Sequence, residues 1–325
     1  MVVDTKFRHI LRLVLGIAAG ALLIVLAFRK VDWQAFLDGL KQCRWTWVGV
    51  SMAAGLTALL FRGFRWHRLL SPIDGGLSRR RVFGAYCIGN LCNCVLPASG
   101  ELVRSAVVPR HREDTQEVLG TAASERVIDL LTLGGTLLLL MAAGWNFIGS
   151  FVRENIVQPI AANPRSILLL SILAVAVVTV LILIFARRLP FPAKARGFLV
   201  GVWKGIKSIR AMEGKGWFLL DTVVIWSLYW IQVLAISKAL GLSLLPKDAL
   251  LLSALGSIAS VIPVPGGIGA YHYILALALS SLYGMNWNEG ILFATLCHES
   301  QLLVSVAAGA LSWLIFPVDN RLTDR

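Results

Sequence analysis

The sequence predicts an all-α integral membrane protein: about six transmembrane helices and two re-entrant helical hairpins, arranged as an inverted repeat in one polytopic domain, residues 1–325. Three observations predict it. Of the 325 residues, 57% are hydrophobic and 15% charged, with a mean hydropathy of +0.73, whereas soluble chains carry about 25% charged residues. The apolar residues come in blocks, such as the 21 uncharged residues of Ser166–Ala186, and about 20 suffice to cross the hydrocarbon. Two further uncharged segments are interrupted by proline and glycine, which break helices.

In chain order, Leu13–Phe28 is the first span. It follows Lys6, Arg8 and Arg12 and runs into Arg29-Lys30. Its 16 apolar residues are long for the core of a cleaved signal peptide, so an uncleaved helix is expected. Trp45–Phe61 is the second span. Val82–Gly100 has 19 uncharged residues cut by Pro97-Ala-Ser-Gly100, and reads as the first hairpin. Val127–Ile148, whose one charge is Asp129, and Ser166–Ala186 are the next spans. In Lys194–Lys215 the apolar Phe198, Leu199, Val202, Ile206 and Ile209 recur at helical spacing opposite Arg196, Lys207 and Arg210. That pattern suits a basic amphipathic helix in the inner headgroup layer, with a solvated linker as the alternative. Trp217–Leu240 is a span. Ala249–Asn288 holds 40 uncharged residues around Pro263-Val-Pro265-Gly266-Gly267. As one helix it would reach about 60 Å, twice the hydrocarbon thickness, so two half-helices (Ala249–Ile262 and Ile268–Gly284) are expected. Gly290–Phe316 is the last span.

The net charge of +13 lies between apolar blocks, not on a soluble module interleaved with aromatics, so nucleic acid is not the expected partner; orientation and anionic lipid explain it. Arg62, Arg65, Arg68, Arg79, Arg80 and Arg81 read as one basic loop. Arg187, Arg188, Lys194, Arg196, Lys204, Lys207, Arg210 and Lys215 read as another. Both face the cytoplasm only if Val82–Pro97 enters and returns on one side. Segments 29–44, 149–165 and 241–248 are then external, and both termini cytoplasmic, in a bacterial inner membrane. Units 45–148 and 217–316 then share a span–hairpin–span order entered from opposite sides. Such repeats are common in transporters, with the substrate at discontinuous helices.

Polar residues gather near the first break: Asn90, Asn93, Ser99, Glu101, Arg104, Glu125, Arg126 and Asp129. Glu101 and Arg104, three apart, share a helix face. Ionisable groups at membrane depth face a cavity or each other. Two readings stand: Arg104 and Arg126 hold a phosphate while the carboxylates orient them, or the set is an internal ion-pair cluster. At the second break Gly266, Gly267 and Gly269 permit tight turns, and free amides at a half-helix start suit an anion. Tyr271 and His272 follow, and His298-Glu299 lies in the last span. Each histidine is either a proton-handling group or a hydrogen-bonded core residue. The five cysteines (Cys43, Cys87, Cys92, Cys94 and Cys297) lack metal-ligand spacing. No cofactor, metal, nucleotide loop or nucleophile elbow is expected.

Pro97-Ala-Ser-Gly-Glu-Leu-Val-Arg104, then Ser124-Glu-Arg126 with Asp129, and Pro263-Val-Pro-Gly-Gly-Ile-Gly269 together resemble the lysylphosphatidylglycerol synthase transmembrane-domain family, over about residues 10–316. The resemblance implies a flippase-like, lipid-handling domain with Glu101, Arg104, Glu125, Arg126 and Asp129 as its polar core. Members of the family usually place an acidic residue where this chain has His272, which bears on the headgroup. Nine residues follow Phe316, so the soluble aminoacyl-transfer domain of the long synthases is not expected. The expected activity is movement of a phospholipid or polyprenyl-phosphate-linked lipid, the headgroup passing between Pro97–Gly100 and Pro263–Gly267. A headgroup transferase or hydrolase using Glu101, Asp129 or His272, and a scaffold for a cell-envelope synthase, are the alternatives. Membrane lipids with an anionic or lipid-linked headgroup are the expected partner, with a second copy of the chain or an envelope-synthesis protein beside them.

Overall fold

The computed structural model describes residues 20–97, 99–108, 115–158, 162–163, 200, 203, 207, 210–262 and 264–316. Among these the regular structure is helical, with no strand. After a helical segment at 20–28 come α1 (Trp33–Gln42), α2 (Trp45–Leu70), α3 (Arg79–Val95), α4 (Ser99–Val107) and α5 (Thr115–Val152), which ends in a π turn, Arg153–Val157. The second half holds α6 (Lys215–Ala239), α7 (Pro246–Ala259), a 3-10 turn (Pro265–Gly267), α8 (Ala270–Tyr283) and α9 (Trp287–Ile315).

Local chemistry explains most boundaries. Asp32 caps α1 by accepting from the Gln34 and Ala35 amides, Ser78 caps α3 through the Arg81 amide, and Asn286 caps α9 through the Glu289 amide; each satisfies an orphan donor. Pro246 opens α7, where a missing N–H costs nothing. Gly284 closes α8 in the left-handed region at φ 65°.

Three of the described helices are long and apolar enough to cross a membrane: α2 with 26 residues, α6 with 25 and α9 with 29. Their outer faces, and that of α5, carry exposed Leu130, Leu131, Leu138, Leu139, Leu219, Val223, Leu303 and Leu314, a surface suited to acyl chains. By contrast α7 and α8, at 14 residues each, reach about 21 Å, short of the hydrocarbon thickness.

The same order of elements recurs: long helix, short helix, break, short helix, long helix. The two halves interleave, with α6 along α2, α9 against α3, and α7 against α5. Glycines permit the close approaches. A methyl on Gly309 of α9 would stand 2.6 Å from Leu91 Cβ and 2.8 Å from the Cys87 carbonyl of α3, the small-residue contact that membrane helices use in place of hydrophobic drive.

Several expectations are corrected. The second span does not stop at Phe61: α2 continues to Leu70, so Arg62, Arg65 and Arg68 are helical. The loop there is only 71–78 and holds no lysine or arginine, since Arg79, Arg80 and Arg81 open α3. Arginine is a good helix former, and each of the three has an acidic partner, so a charge count was a poor guide to where the span ended. Segment 29–44, read as a loop, contains α1. The span at Val127–Ile148 is the inner part of the 38-residue α5. The span Ser166–Ala186, residues 13–19 of the first span and Pro263 lie outside the described residues. So does most of 194–215, where residues 200, 203, 207, 210 and 211 are helical.

Candidate functional site

The polar residues form two groups, one at each break. The first is built on three consecutive turns of α2. Arg65, fully buried, reaches Glu125 at 3.1 Å and Asp129 at 2.8 Å. These two carboxylates sit four residues apart on α5, one turn, and so take one guanidinium between them. Arg62, one turn earlier, bonds Asp129 at 3.2 Å, donates to the Tyr86 hydroxyl at 2.9 Å and contacts the Tyr229 hydroxyl. Arg68, one turn later, bonds Asp221 at 2.8 Å. Beside that pair, Phe64, Trp217, Leu220 and Val224 wall a cleft between α2 and α6.

The hairpin α3–α4 brings two more pairs. Arg104 meets Glu125 at 2.8 Å and lies over the Trp66 and Tyr86 rings, 4.4 and 4.7 Å from their centroids. Glu101 pairs with Arg126, whose Nε donates at 3.0 Å. Glu101 and Arg104 thus share α4 but answer two different residues of α5. The hairpin is held shut at Asn93, whose Oδ1 accepts from the Gly100 amide at 2.8 Å and whose Nδ2 lies 3.5 Å from Glu101. A methyl on Gly100 would stand 2.1 Å from the Gly89 carbonyl oxygen. Gly100 therefore lies within α4 as a packing residue, not in the break beside Pro97. Asn90 is half-buried on α3, and no hydrogen bond brings its side-chain amide into this network among the described residues.

The cluster holds four arginines (62, 65, 104 and 126) and three carboxylates (101, 125 and 129), leaving one positive charge over. Exposure divides it. Arg65 and Glu125 are at most 2% exposed and Arg104 5%, while the Arg126 side chain is 54% exposed. Arg104 Nη1 is buried without a hydrogen-bond acceptor, consistent with a guanidinium lying on aromatic faces. Of the two arginines expected at a phosphate, Arg126 is accessible and Arg104 is buried behind it. Tyr86 and Asp221, uncharged or isolated within apolar segments, gave no signal of their own, whereas Arg62, Arg65 and Arg68 escape notice because residues 62–68 read as loop. Their i, i+3 spacing was the available signal.

The second group surrounds the 3-10 turn. Gly266, Gly267 and Gly269 have φ of 59°, 76° and 86°, where any side chain is strained, and Pro265 opens the turn. The Gly269 amide donates to His272 Nδ1 at 3.4 Å, so one of the amides expected to be free for an anion is occupied by this chain. His298 Nε2 lies 2.8 Å from the Gly266 carbonyl, and its Nδ1 3.0 Å from Glu299. The His272 and Tyr271 rings lie tilted against the His298 ring, with centroids 5.1 and 5.2 Å away. Potential ligand atoms of His272, His298 and Glu299 lie within 4.8 Å of one another. However, His272 Nδ1 accepts, so its Nε2 carries the hydrogen and offers no lone pair to a metal. The two breaks adjoin: a methyl on Gly266 would stand 3.4 Å from the Cys94 carbonyl at the end of α3.

No curated protein matches the chain, and no solved structure does. The family model for the lysylphosphatidylglycerol synthase transmembrane region matches residues 13–309, a stretch that contains both breaks and every residue of the two polar groups. Its three long apolar helices and its family match point to a membrane location and a lipid-related family. On that match the chain belongs to the lysylphosphatidylglycerol synthase transmembrane-region family.

Proposed function

We propose that this protein moves a lipid with a phosphate-bearing headgroup between leaflets, in a bacterial inner membrane with both chain termini cytoplasmic. The observation that carries the reading is the meeting of the two broken elements, Gly266 against the Cys94 carbonyl. A headgroup at bilayer depth needs polar backbone and side chains, and interrupted helices supply them where they line a protected path. The crossed pairs α3–α9 and α5–α7 support a two-fold relation between the halves, as an inverted repeat requires, with α3–α4 and α7–α8 as re-entrant hairpins.

In this reading Arg126, backed by Glu101, meets the phosphate. It is the exposed guanidinium of a cluster with a surplus positive charge, and a planar fork suits a phosphate. Arg104 and Arg65 are positioning residues: they hold Glu125, and through the α4–α5 contact they fix where Arg126 stands. The acyl chains stay on the exposed apolar faces of α5 and α6. The cleft at Trp217 and Phe64 offers them an entry beside Arg68.

The test is reconstitution in vesicles with a fluorescent lipid and an outer-leaflet quencher. Wild type exchanges lipid faster than empty vesicles, and Arg126→Gln slows that exchange. Equal rates for wild type and empty vesicles across anionic, zwitterionic and polyprenyl-phosphate lipids would sink the reading. Mass spectrometry of the same lipids finds them unchanged; a modified headgroup would replace transport by transferase or hydrolase chemistry.

A further inference from the structure

We propose that His298, Glu299 and His272 form a proton-binding site at the second break, and that its proton is the coupling ion for lipid movement. The coupling half rests on the transport reading above; the proton site itself does not.

Glu299 lies near the middle of the 29-residue α9, at the depth where a charge is least welcome in a bilayer. Its side chain is 39% exposed, and its ion-pair partners among the described residues are His298 at 3.0 Å and His272 at 3.8 Å. Neither lysine nor arginine joins them, whereas every carboxylate of the first group has an arginine, which never gives up its proton.

The ring nitrogens show where the proton resides. A carbonyl can only accept, so His298 Nε2, 2.8 Å from the Gly266 oxygen, must donate. A neutral ring would then turn the Nδ1 lone pair toward a carboxylate oxygen at 3.0 Å, acceptor against acceptor. A proton on that axis resolves the contact, as an imidazolium facing a carboxylate. His272, whose Nδ1 accepts from the Gly269 amide at 3.4 Å, points its Nε2–H at the same carboxylate oxygen and stands ready when the shared proton leaves. On release the N–H bond at His298 Nδ1 breaks, its electron pair stays on nitrogen, and a water molecule takes the proton; no oxidation state changes.

Release restores the repulsive contact, and rotating the ring to relieve it surrenders the bond to Gly266. That residue sits at φ 59° in the break itself, against the end of α3. Proton occupancy is therefore read directly by the backbone along which the headgroup would pass. Among described residues the elements packed here add few other groups. Tyr271 of α8 and Cys297 of α9 are held against each other, Phe28 of the first helix covers His272 with ring centroids 5.4 Å apart, and α3 contributes the Cys94 carbonyl.

The experiment imposes a pH gradient on the reconstituted vesicles and, separately, follows histidine ring nitrogens by 15N NMR in protein held at uniform pH. For one proton per lipid, a gradient of one pH unit drives the leaflet ratio toward about tenfold. Glu299→Gln and His298→Gln each remove that response. In the NMR arm the His298 ring passes from doubly to singly protonated as the pH is raised, and Glu299→Gln displaces the transition. Arg126→Gln slows lipid exchange yet leaves the His298 transition in place. If wild type exchanges lipid but the leaflet ratio ignores the gradient, the coupling proposal falls and the transport reading stands. If no lipid moves, the transport reading falls with the coupling, and the NMR arm alone decides the proton site. A His298 ring that keeps one protonation state throughout the titration, or a stoichiometric transition metal in the purified protein, overturns it.

Discussion

The two breaks occupy matching places in the two halves, yet their polar residues are of opposite kinds. At the first, arginines on α2, α4 and α5 hold every carboxylate: Arg65 is fully buried between Glu125 and Asp129, and Arg104 is pinned to Glu125 over two aromatic rings. Guanidinium keeps its proton at any physiological pH, so this network has one charge state and suits a fixed scaffold for an anion. At the second, the carboxylate of Glu299 faces two imidazoles, rings that can hold one proton or two. The turns differ as well. The first is closed by contact, Gly100 on Gly89, and the second by backbone conformation, three glycines at positive φ. In the readings proposed above, two matching breaks divide two tasks, holding a charge and exchanging one.

The comparison can be broken first at Arg65. Arg65→Met leaves Glu125 and Asp129 buried with half their compensation; the expected loss is about 3–5 kcal/mol, seen as a collapse of yield and melting temperature in detergent. A variant as stable as wild type would show that the network is not the scaffold described. Next, Gly100→Ala forces Cβ into the Gly89 carbonyl, and overpacking of that sort costs about 1–3 kcal/mol. Gly267→Ala has room, with His298 Nε2 at 3.5 Å, and pays only for φ, about 1–2 kcal/mol. Denaturation of both variants side by side checks the order, and a larger loss at Gly267 would reverse the assignment of the two turns. Last, Arg126→Gln removes a half-exposed pair and should cost no more than about 1 kcal/mol of stability. Its lipid affinity should fall about tenfold or more, since a hydrogen bond to a charged group contributes roughly 1.5–3 kcal/mol. Native mass spectrometry of lipid-bound protein measures that loss, and an unchanged affinity would move the phosphate site elsewhere.

Much of this was legible in the residues. Pro97 and the run Pro265-Gly266-Gly267 marked the interruptions, because a missing amide and a positive φ are local properties. Glu125 and Asp129 were legible as one face, because a helical turn sets their spacing. Their partner was not. Arg65 is 60 residues away from Glu125, and an arginine count, which carries no information about neutralisation, places it in a cytoplasmic loop. The Glu101–Arg104 spacing suggested a pair within α4, whereas both side chains turn instead to α5. The short helix α1 was hidden because its ten residues carry no long apolar run, only one buried ring, Phe36, and an aspartate cap.

Composition and the placement of proline and glycine determined by themselves that the chain is helical, that it belongs in a bilayer and that two of its helices must be interrupted, since these follow from solvation and from backbone freedom residue by residue. Tertiary structure alone decided which arginine meets which carboxylate, that Arg104 is enclosed while Arg126 stays open, and that Glu299 meets two histidines. Those outcomes depend on how closely glycine faces let separate helices approach, and a side chain's electrostatic partner is fixed only when that approach is made.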